Sequence, residues 1–224
     1  MNWQDKGYLL SLTKYNENSS IAEFYTENHG KIVGVIFGSS SKKIKNYLLI
    51  GNKFHINSKI REDGKLGYLK VEIDEIQTPI YLDDKKKLYC IIYCMNLIKI
   101  LTVENEKNSE IYLLINKLFD LLKNESWLSK FLFLELNIFK LIGYDINFKD
   151  YVISKVIDGK KKYIVETNQK IVPKFLIDKD QIPENQKEIY NGFILVGDFL
   201  DKTIIKPNNK IYPLTRNNFV SQLK

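Results

Sequence analysis

The hydrophobic period of this chain changes once, near residue 80. Before that point apolar residues recur with a period of two, in short runs broken by Gly, Asn and Asp. After it they recur with a helical period as far as about residue 143. One sheet or one bundle cannot satisfy both patterns, so a β structure must come first and a helical structure second. The clearest run is 52–60, where Phe54, Ile56 and Ile60 point one way and Lys53, His55, Asn57 and Lys59 the other. That period gives a strand with one apolar and one polar face. Five strands are predicted, over Gly7–Tyr15, Ser20–Glu27, Lys31–Phe37, Asn52–Ile60 and Leu66–Ile73. Asn28-His29-Gly30 and Glu62-Asp63-Gly64 supply turns. Five short antiparallel strands, with an irregular stretch between the third and fourth, suit a small barrel of the OB type. A five-stranded SH3-like barrel fits the same pattern.

The second part opens at Asp83-Asp84, acidic residues suited to a helix N-terminus. One helix runs to about Thr102 with Leu88, Ile91, Ile92, Met95 and Ile98 on its buried stripe. A second follows the cap at Asn108-Ser109. A third, Ser126–Ile142, is apolar nearly all round and reads as the central helix of a bundle, ending before Gly143. Asp158-Gly159, flanked by β-branched alternation, predicts a hairpin over about 151–166. A helix over about Asn185–Leu200 and a short one after Pro213 close the chain. The expected organisation is an α+β fold: a five-stranded OB-type barrel over 1–78, then a helical domain over 79–224 carrying the hairpin.

Charge is informative only in part. Of 224 residues, 34 are Lys or Arg and 27 Asp or Glu, a net charge of +7. A basic balance favours acidic partners. Yet only Arg61 and Arg216 are arginine, Ala22 is the single alanine, and there are 30 Ile and 21 Asn. That profile follows A/T-rich codons, so where the lysines sit matters more than how many there are. Residues 1–78 carry +2 and residues 79–224 carry +5. Binding by the barrel must therefore rest on a local cluster.

Several classes are excluded. Cys90 and Cys94 are the only cysteines, which rules out a disulfide framework and points to a reducing compartment. Four apart in an apolar stripe, they read as small buried hydrophobes rather than a metal half-site. Met1–Lys14 has no apolar core of a signal peptide. The longest apolar run, Leu88–Ile98, is well short of the roughly 18–20 residues that span a bilayer. A cytoplasmic protein with no membrane partner is expected. His29 and His55 have no Ser or Cys in a nucleophile setting, and no G-x-S-x-G or Walker A pattern exists. No catalytic residue, cofactor or metal is assigned.

Lysine clusters are the candidate site. Ser39-Ser40-Ser41-Lys42-Lys43-Ile44-Lys45 follows Gly38 in the irregular link of the barrel. Small residues let backbone N–H groups approach phosphate, and three lysines supply charge. Lys53, Lys59 and Arg61 lie nearby in sequence, and Lys14 beside Tyr15 and Lys31 are candidates for the same surface. Aromatics among basic residues on an OB-type barrel suit single-strand binding by stacking and charge. The alternative is a solvated lysine face. Lys85-Lys86-Lys87 opposes the helix dipole and hints at an anionic partner.

These residues resemble the RecO recombination mediators. Tyr15-Asn16-Glu17-Asn18-Ser19-Ser20-Ile21, followed by Thr26-Glu27-Asn28-His29-Gly30, is similar to that family's first hairpin region with its Thr-x-x-His-Gly turn. Gly34 and Gly38, the Ser39–Lys45 stretch, Gly51-Asn52 and Leu66-Gly67 continue in register. Phe131–Leu136 and Leu141-Ile142-Gly143-Tyr144-Asp145-Ile146 resemble its central helix and exit, and Phe193–Leu200 its last helices. Two departures stand out. Tyr151 occupies about the place of the first cysteine of a zinc site many members carry, and no cysteine follows, so no zinc is expected. Phe37 replaces the usual basic residue before the second barrel glycine.

The resemblance implies a protein that is not an enzyme. It implies binding to single- and double-stranded DNA, annealing of complementary strands, contact with the acidic C-terminal tail of single-strand-binding protein, and action with RecR to load recombinase. Association with the nucleoid during repair would follow. An acidic tail ending in an apolar residue needs an apolar pocket rimmed by lysine, for which Lys99, Lys117, Lys123, Lys130 and Lys140 are candidates. Two other classes remain open: an OB-type RNA-binding or translation-associated protein, and a protein-interaction scaffold.

Overall fold

A computed structural model of the chain describes residues 2–59, 66–157, 159–166, 169–178 and 180–224. The expected Glu62–Gly64 turn, Arg61 and Asp158 lie outside these. The described chain forms two compact units: 2–123 with Pro213–Phe219, and 124–212 with Val220–Lys224.

In the first unit, β1 (Asn2–Lys14), β2 (Ser19–Thr26), β3 (Gly30–Phe37), β4 (Lys53–Lys59) and β5 (Tyr68–Glu75) close a barrel in the order β1-β2-β3-β5-β4. A closed five-stranded barrel is compatible with the OB type expected. Strand β1 begins five residues earlier than the alternation predicts. Its polar start pairs with β4, Asn2 opposite Lys59 and Tyr8 opposite Lys53, while its second half pairs with β2. A bulge between Leu9 and Ser11 lets one strand serve both neighbours, as bulges do by adding bend and twist. Ala22, Phe24, Ile32, Ile36, Phe54, Ile56, Leu69 and Val71 fill the interior. The alternation of β4 is as read: Phe54 and Ile56 are buried, His55 and Lys59 exposed.

The irregular link holds a short helix that the sequence pattern does not reveal, α1 (Lys42–Lys45). Ile44 and Tyr47 pack against the barrel core and Leu48 joins it, so this segment plugs one end. The outer wall near the start of β3 is covered instead by α2 (Lys85–Leu101) and α3 (Ser109–Leu122), capped by Asp84 and Asn108 as their sequences predict. Tyr8 packs on Tyr112 and Phe119 and donates its hydroxyl to Asn116 Oδ1. Tyr25 donates to the Asn108 carbonyl at 3.2 Å. Burial pushes the Tyr25 phenol up to about 12, so it remains a neutral donor. Cys90 and Cys94 are fully buried in α2.

In the second unit, α4 (Trp127–Leu141) precedes a three-stranded sheet of β6 (Val152–Ile157), β7 (Lys160–Val165) and β8 (Ile171–Val172). The hairpin stands where Asp158-Gly159 predicts it, with Ile157 opposite Lys160. Strand β8 and the short α5 (Lys174–Ile177) were not apparent from the sequence. Helix α6 (Gln186–Leu200) starts at the Asn185 cap and runs on as a π turn over Asp201–Ile205. Helix α7 (Leu214–Ser221) follows Pro213 and belongs, as far as Phe219, to the first unit. Phe131 and Phe133 of α4 meet Phe193 and Phe175. Buried Glu135 accepts a hydrogen bond from the Tyr212 hydroxyl at 2.9 Å.

Candidate nucleic-acid interface

The plugged end of the barrel is built around a small-residue turn. Gly38 has φ +66 with nothing within 4 Å of where a Cβ would stand. A positive φ is open to glycine at little cost, and the turn reverses there. The Ser39 N–H donates to the Asn18 carbonyl at 3.2 Å, its hydroxyl meets that of Ser20 at 2.8 Å, and Ser40 Oγ donates to Asn18 Oδ1 at 2.9 Å. The β1–β2 loop and the β3–α1 link are therefore tied together through Asn18. Ser41 begins α1 without a side-chain cap, and Lys42, Lys43 and Lys45 are exposed while Ile44 turns inward. Lys14 is exposed and stands opposite Ser20, beside this joint. Among the described residues none of these four lysines forms an ion pair.

The other predicted lysines are placed differently. Lys59 is exposed on the outer face, between Asn2 and Tyr68. Lys53 lies six residues back along β4, about 20 Å at strand rise. Its side chain is only 13% exposed, 2.9 Å from Glu75, and its ammonium stands 5.6 Å from the Tyr8 ring centre. Asp74 gathers Lys6 at 3.2 Å and His55 at 2.8 Å in the same patch. Lys31 sits at the start of β3 and donates to the Lys99 carbonyl at 3.0 Å. The structure thus brings together Lys14, Lys42, Lys43 and Lys45, adds Lys59 on the adjoining face, and sets Lys31 and Lys53 apart in their own contacts.

His29 is a turn residue, as read. It stacks on Trp3 with ring centres 3.9 Å apart, and its Nδ1 meets Asp5 at 2.7 Å. Burial pushes the Asp5 carboxyl up. Hydrogen bonds from His29, Asn28 and the Lys6 N–H outweigh it and hold the carboxyl below its usual range. Gly30, also at φ +66, could not carry a side chain: a Cβ would stand 2.0 Å from the Glu106 carbonyl. The Thr26–Gly30 turn is thus a joint that seats the α2–α3 loop, with no open site around it.

Two further residues belong to the open face. Lys70 follows Tyr68 on the same side of β5 and is 77% exposed. Phe37 is 57% exposed at the end of β3. The signal for Lys70 lies in its even spacing from Tyr68.

Of the lysines considered for a tail pocket, Lys99 is held by Glu23 and Ser11, Lys123 by Asp120 and Lys140 by Asp145, whereas Lys117 and Lys130 are exposed. Lys87 pairs with Asp84 at 3.7 Å and stands over Tyr81, which accounts for one of the three lysines at the α2 start. The second unit holds a cleft of about 910 Å³. Ile171, Pro173 and Ile194 line it together with Lys161, Lys174 and Lys187 and with Glu184 and Glu188.

Tyr151, where the resemblance would put the first zinc cysteine, packs on Phe199 at 5.1 Å, and Phe148 packs on the same ring at 5.4 Å. Among the described residues no group of three His, Cys, Asp or Glu could hold a metal ion. These residues do not fit zinc.

Fold and site together define an OB-type barrel protein extended by a helical domain, with a basic rim at the plugged end. Residues 1–75 match the family described as recombination protein O N terminal, and residues 82–211 that described as recombination protein O C terminal. The chain belongs to the RecO family. Curated relatives named DNA repair protein RecO match it nearly end to end. That of Wolbachia pipientis wMel is 24% identical over 99% of this chain and 100% of its own. That of Rhodospirillum centenum is 22% identical over 100% and 95%. That of Methylorubrum extorquens is 24% identical over 99% and 98%. No helix among the described residues is long and apolar enough to cross a membrane.

Proposed function

We propose that this protein is a non-enzymatic recombination mediator in DNA repair, acting on DNA at the plugged end of its barrel. The observation that carries the reading is the exposed α1 triad Lys42, Lys43 and Lys45, held on a tied turn in a chain whose two halves match the two RecO domains. Lysines without base-reading geometry neutralise phosphates, so affinity for single- and double-stranded DNA falls steeply with salt and carries little sequence preference. Lys14 and Lys59 extend the contact. The reading includes annealing of complementary strands, work with RecR in recombinase loading, and a nucleoid-associated place in the cytoplasm. It also includes the acidic tail of single-strand-binding protein as a partner. The cleft beside Ile171 and Ile194 supports that partner, since apolar side chains and lysines line it together.

The test is annealing of complementary oligonucleotides coated with single-strand-binding protein. The protein should accelerate annealing at low salt and lose the effect as salt rises. No acceleration at low salt contradicts the reading, and a preference for structured RNA replaces it with an RNA-binding role.

A further inference from the structure

We infer that the outer face of the barrel beside the plugged end is a stacking platform for unpaired bases, with Phe37 as its central ring. The inference rests on the reading that this end of the barrel binds DNA, and it names which form of DNA the site is shaped for.

The alternation of β3 puts Ile32 and Ile36 in the core and turns Phe37 outward. An aromatic ring 57% exposed at a strand end stabilises little by burial, so its exposure calls for a partner. Phe37 is not alone. The Tyr68 ring lies 4.8 Å from it at 46°, which fixes the Phe37 ring from one side and leaves its other side open. Across the sheet Phe37 stands opposite Ser19, and the Ser19 carbonyl accepts the Tyr15 N–H at 3.0 Å. Tyr15 is 61% exposed. Along the backbone pairing the row runs Tyr15, Ser19, Phe37, Tyr68, in which Tyr15 and Phe37 are open and Ser19 is buried.

Charge flanks the row on both sides. Lys59 is the register partner of Tyr68, and Lys70 follows two residues on. Lys42 and Lys43 begin five residues beyond Phe37, and Lys14 precedes Tyr15. Of the acidic residues on this face, Glu72 lies 3.5 Å from Lys70. Glu17 is in the β1–β2 loop. Exposed rings edged by cations on both sides match a polyanion with exposed π faces, which is single-stranded nucleic acid rather than an acidic peptide or a duplex. Tyr8 and Tyr25, by contrast, are buried, with Tyr8 packed on Tyr112 and Phe119 and Tyr25 bonded to the Asn108 carbonyl.

The experiment compares the intact protein with Phe37→Ala and Phe37→Tyr on three probes: oligothymidine, an abasic oligomer of equal length, and duplex DNA. Phe37→Ala should weaken oligothymidine binding about 5- to 150-fold, the range seen when one stacking ring is removed. Phe37→Tyr should restore it. Neither variant should alter binding of the abasic oligomer or the duplex, which present phosphates and no free base faces. In Phe37→Trp, oligothymidine should quench the new indole and the abasic oligomer should not. Unchanged oligothymidine affinity in Phe37→Ala, or equal losses on all three probes, overturns the platform while leaving lysine-based DNA binding in place. No binding by the unmodified protein to any probe at low salt overturns both. The exposure of Phe37 keeps the core out of the test, and an unchanged melting temperature confirms it.

Discussion

The two ends of β3 look alike in sequence and behave in opposite ways. Each has a glycine at φ +66 with lysine close by: Gly30 and Lys31 at the start, Gly38 and Lys42 at the end. At the start, the α2–α3 loop lies so close that a Cβ on Gly30 would meet the Glu106 carbonyl. The Asn105 N–H donates to the Lys31 carbonyl at 2.8 Å, and the Lys31 ammonium is engaged by Lys99. At the end, Gly38 faces open space and the lysines point to solvent. A lysine beside a turn glycine is thus a structural fastener in one place and a free charge in the other. What separates them is the cover supplied by helices seventy residues further on.

The largest effect expected from this contrast is on binding. Charge reversal of Lys42, Lys43 and Lys45 together should weaken DNA binding at least about 100-fold at low salt, because three phosphate contacts turn repulsive. Folding should be unaffected, since all three are exposed. An affinity within a few-fold of the unmodified protein would remove α1 from the interface.

The glycines give the next pair. Gly30→Ala combines left-handed strain with a backbone clash and should cost about 3 kcal/mol, lowering Tm by roughly 6–12 °C. Gly38→Ala has strain alone and should cost about 1–2 kcal/mol. Thermal unfolding of both variants checks the order. Equal losses would mean that the two ends of β3 are equally covered.

Much of this fold is legible in the sequence where a local rule governs. The period of two in β4, the helix starts at Asp84 and Asn108, and the Asp158-Gly159 hairpin all depend on neighbours within a few residues. What stayed hidden depends on distant partners. The start of β1 at Asn2 is polar, and only its pairing with β4 makes it a strand. Helix α1 is four residues long, too short to show a period. Lys53 reads as an open charge on the polar face, because its carboxylate partners Asp74 and Glu75 lie on another strand. Phe37 reads only as the end of a strand and a departure from a basic residue, because alternation does not say that the wall beyond a strand end is open.

Smaller effects should mark the lysines already engaged. Lys31→Gln and Lys53→Gln should change DNA affinity by less than about 2-fold, since neither forms part of the exposed cluster. A loss as large as that from the α1 lysines would show that the interface extends over the covered side.

The covered end also predicts an acid response. Asp5 is hydrogen-bonded and held below the usual carboxylate range, so it stabilises the fold above its unfolded pKa of about 3.9. That contribution is lost as pH falls through its lower folded value. The stability difference between the unmodified protein and Asp5→Asn, from urea unfolding, should shrink as pH falls below about 4. A difference that stays constant to pH 3 would contradict this.

The most direct test of a phosphate-binding α1 is the salt dependence of DNA affinity in the unmodified protein and in the variant with Lys42, Lys43 and Lys45 reversed. A plot of log affinity against log salt should be shallower in the variant by about 2 to 3, one unit or slightly less per lost contact. Parallel lines would mean that these lysines touch no phosphate.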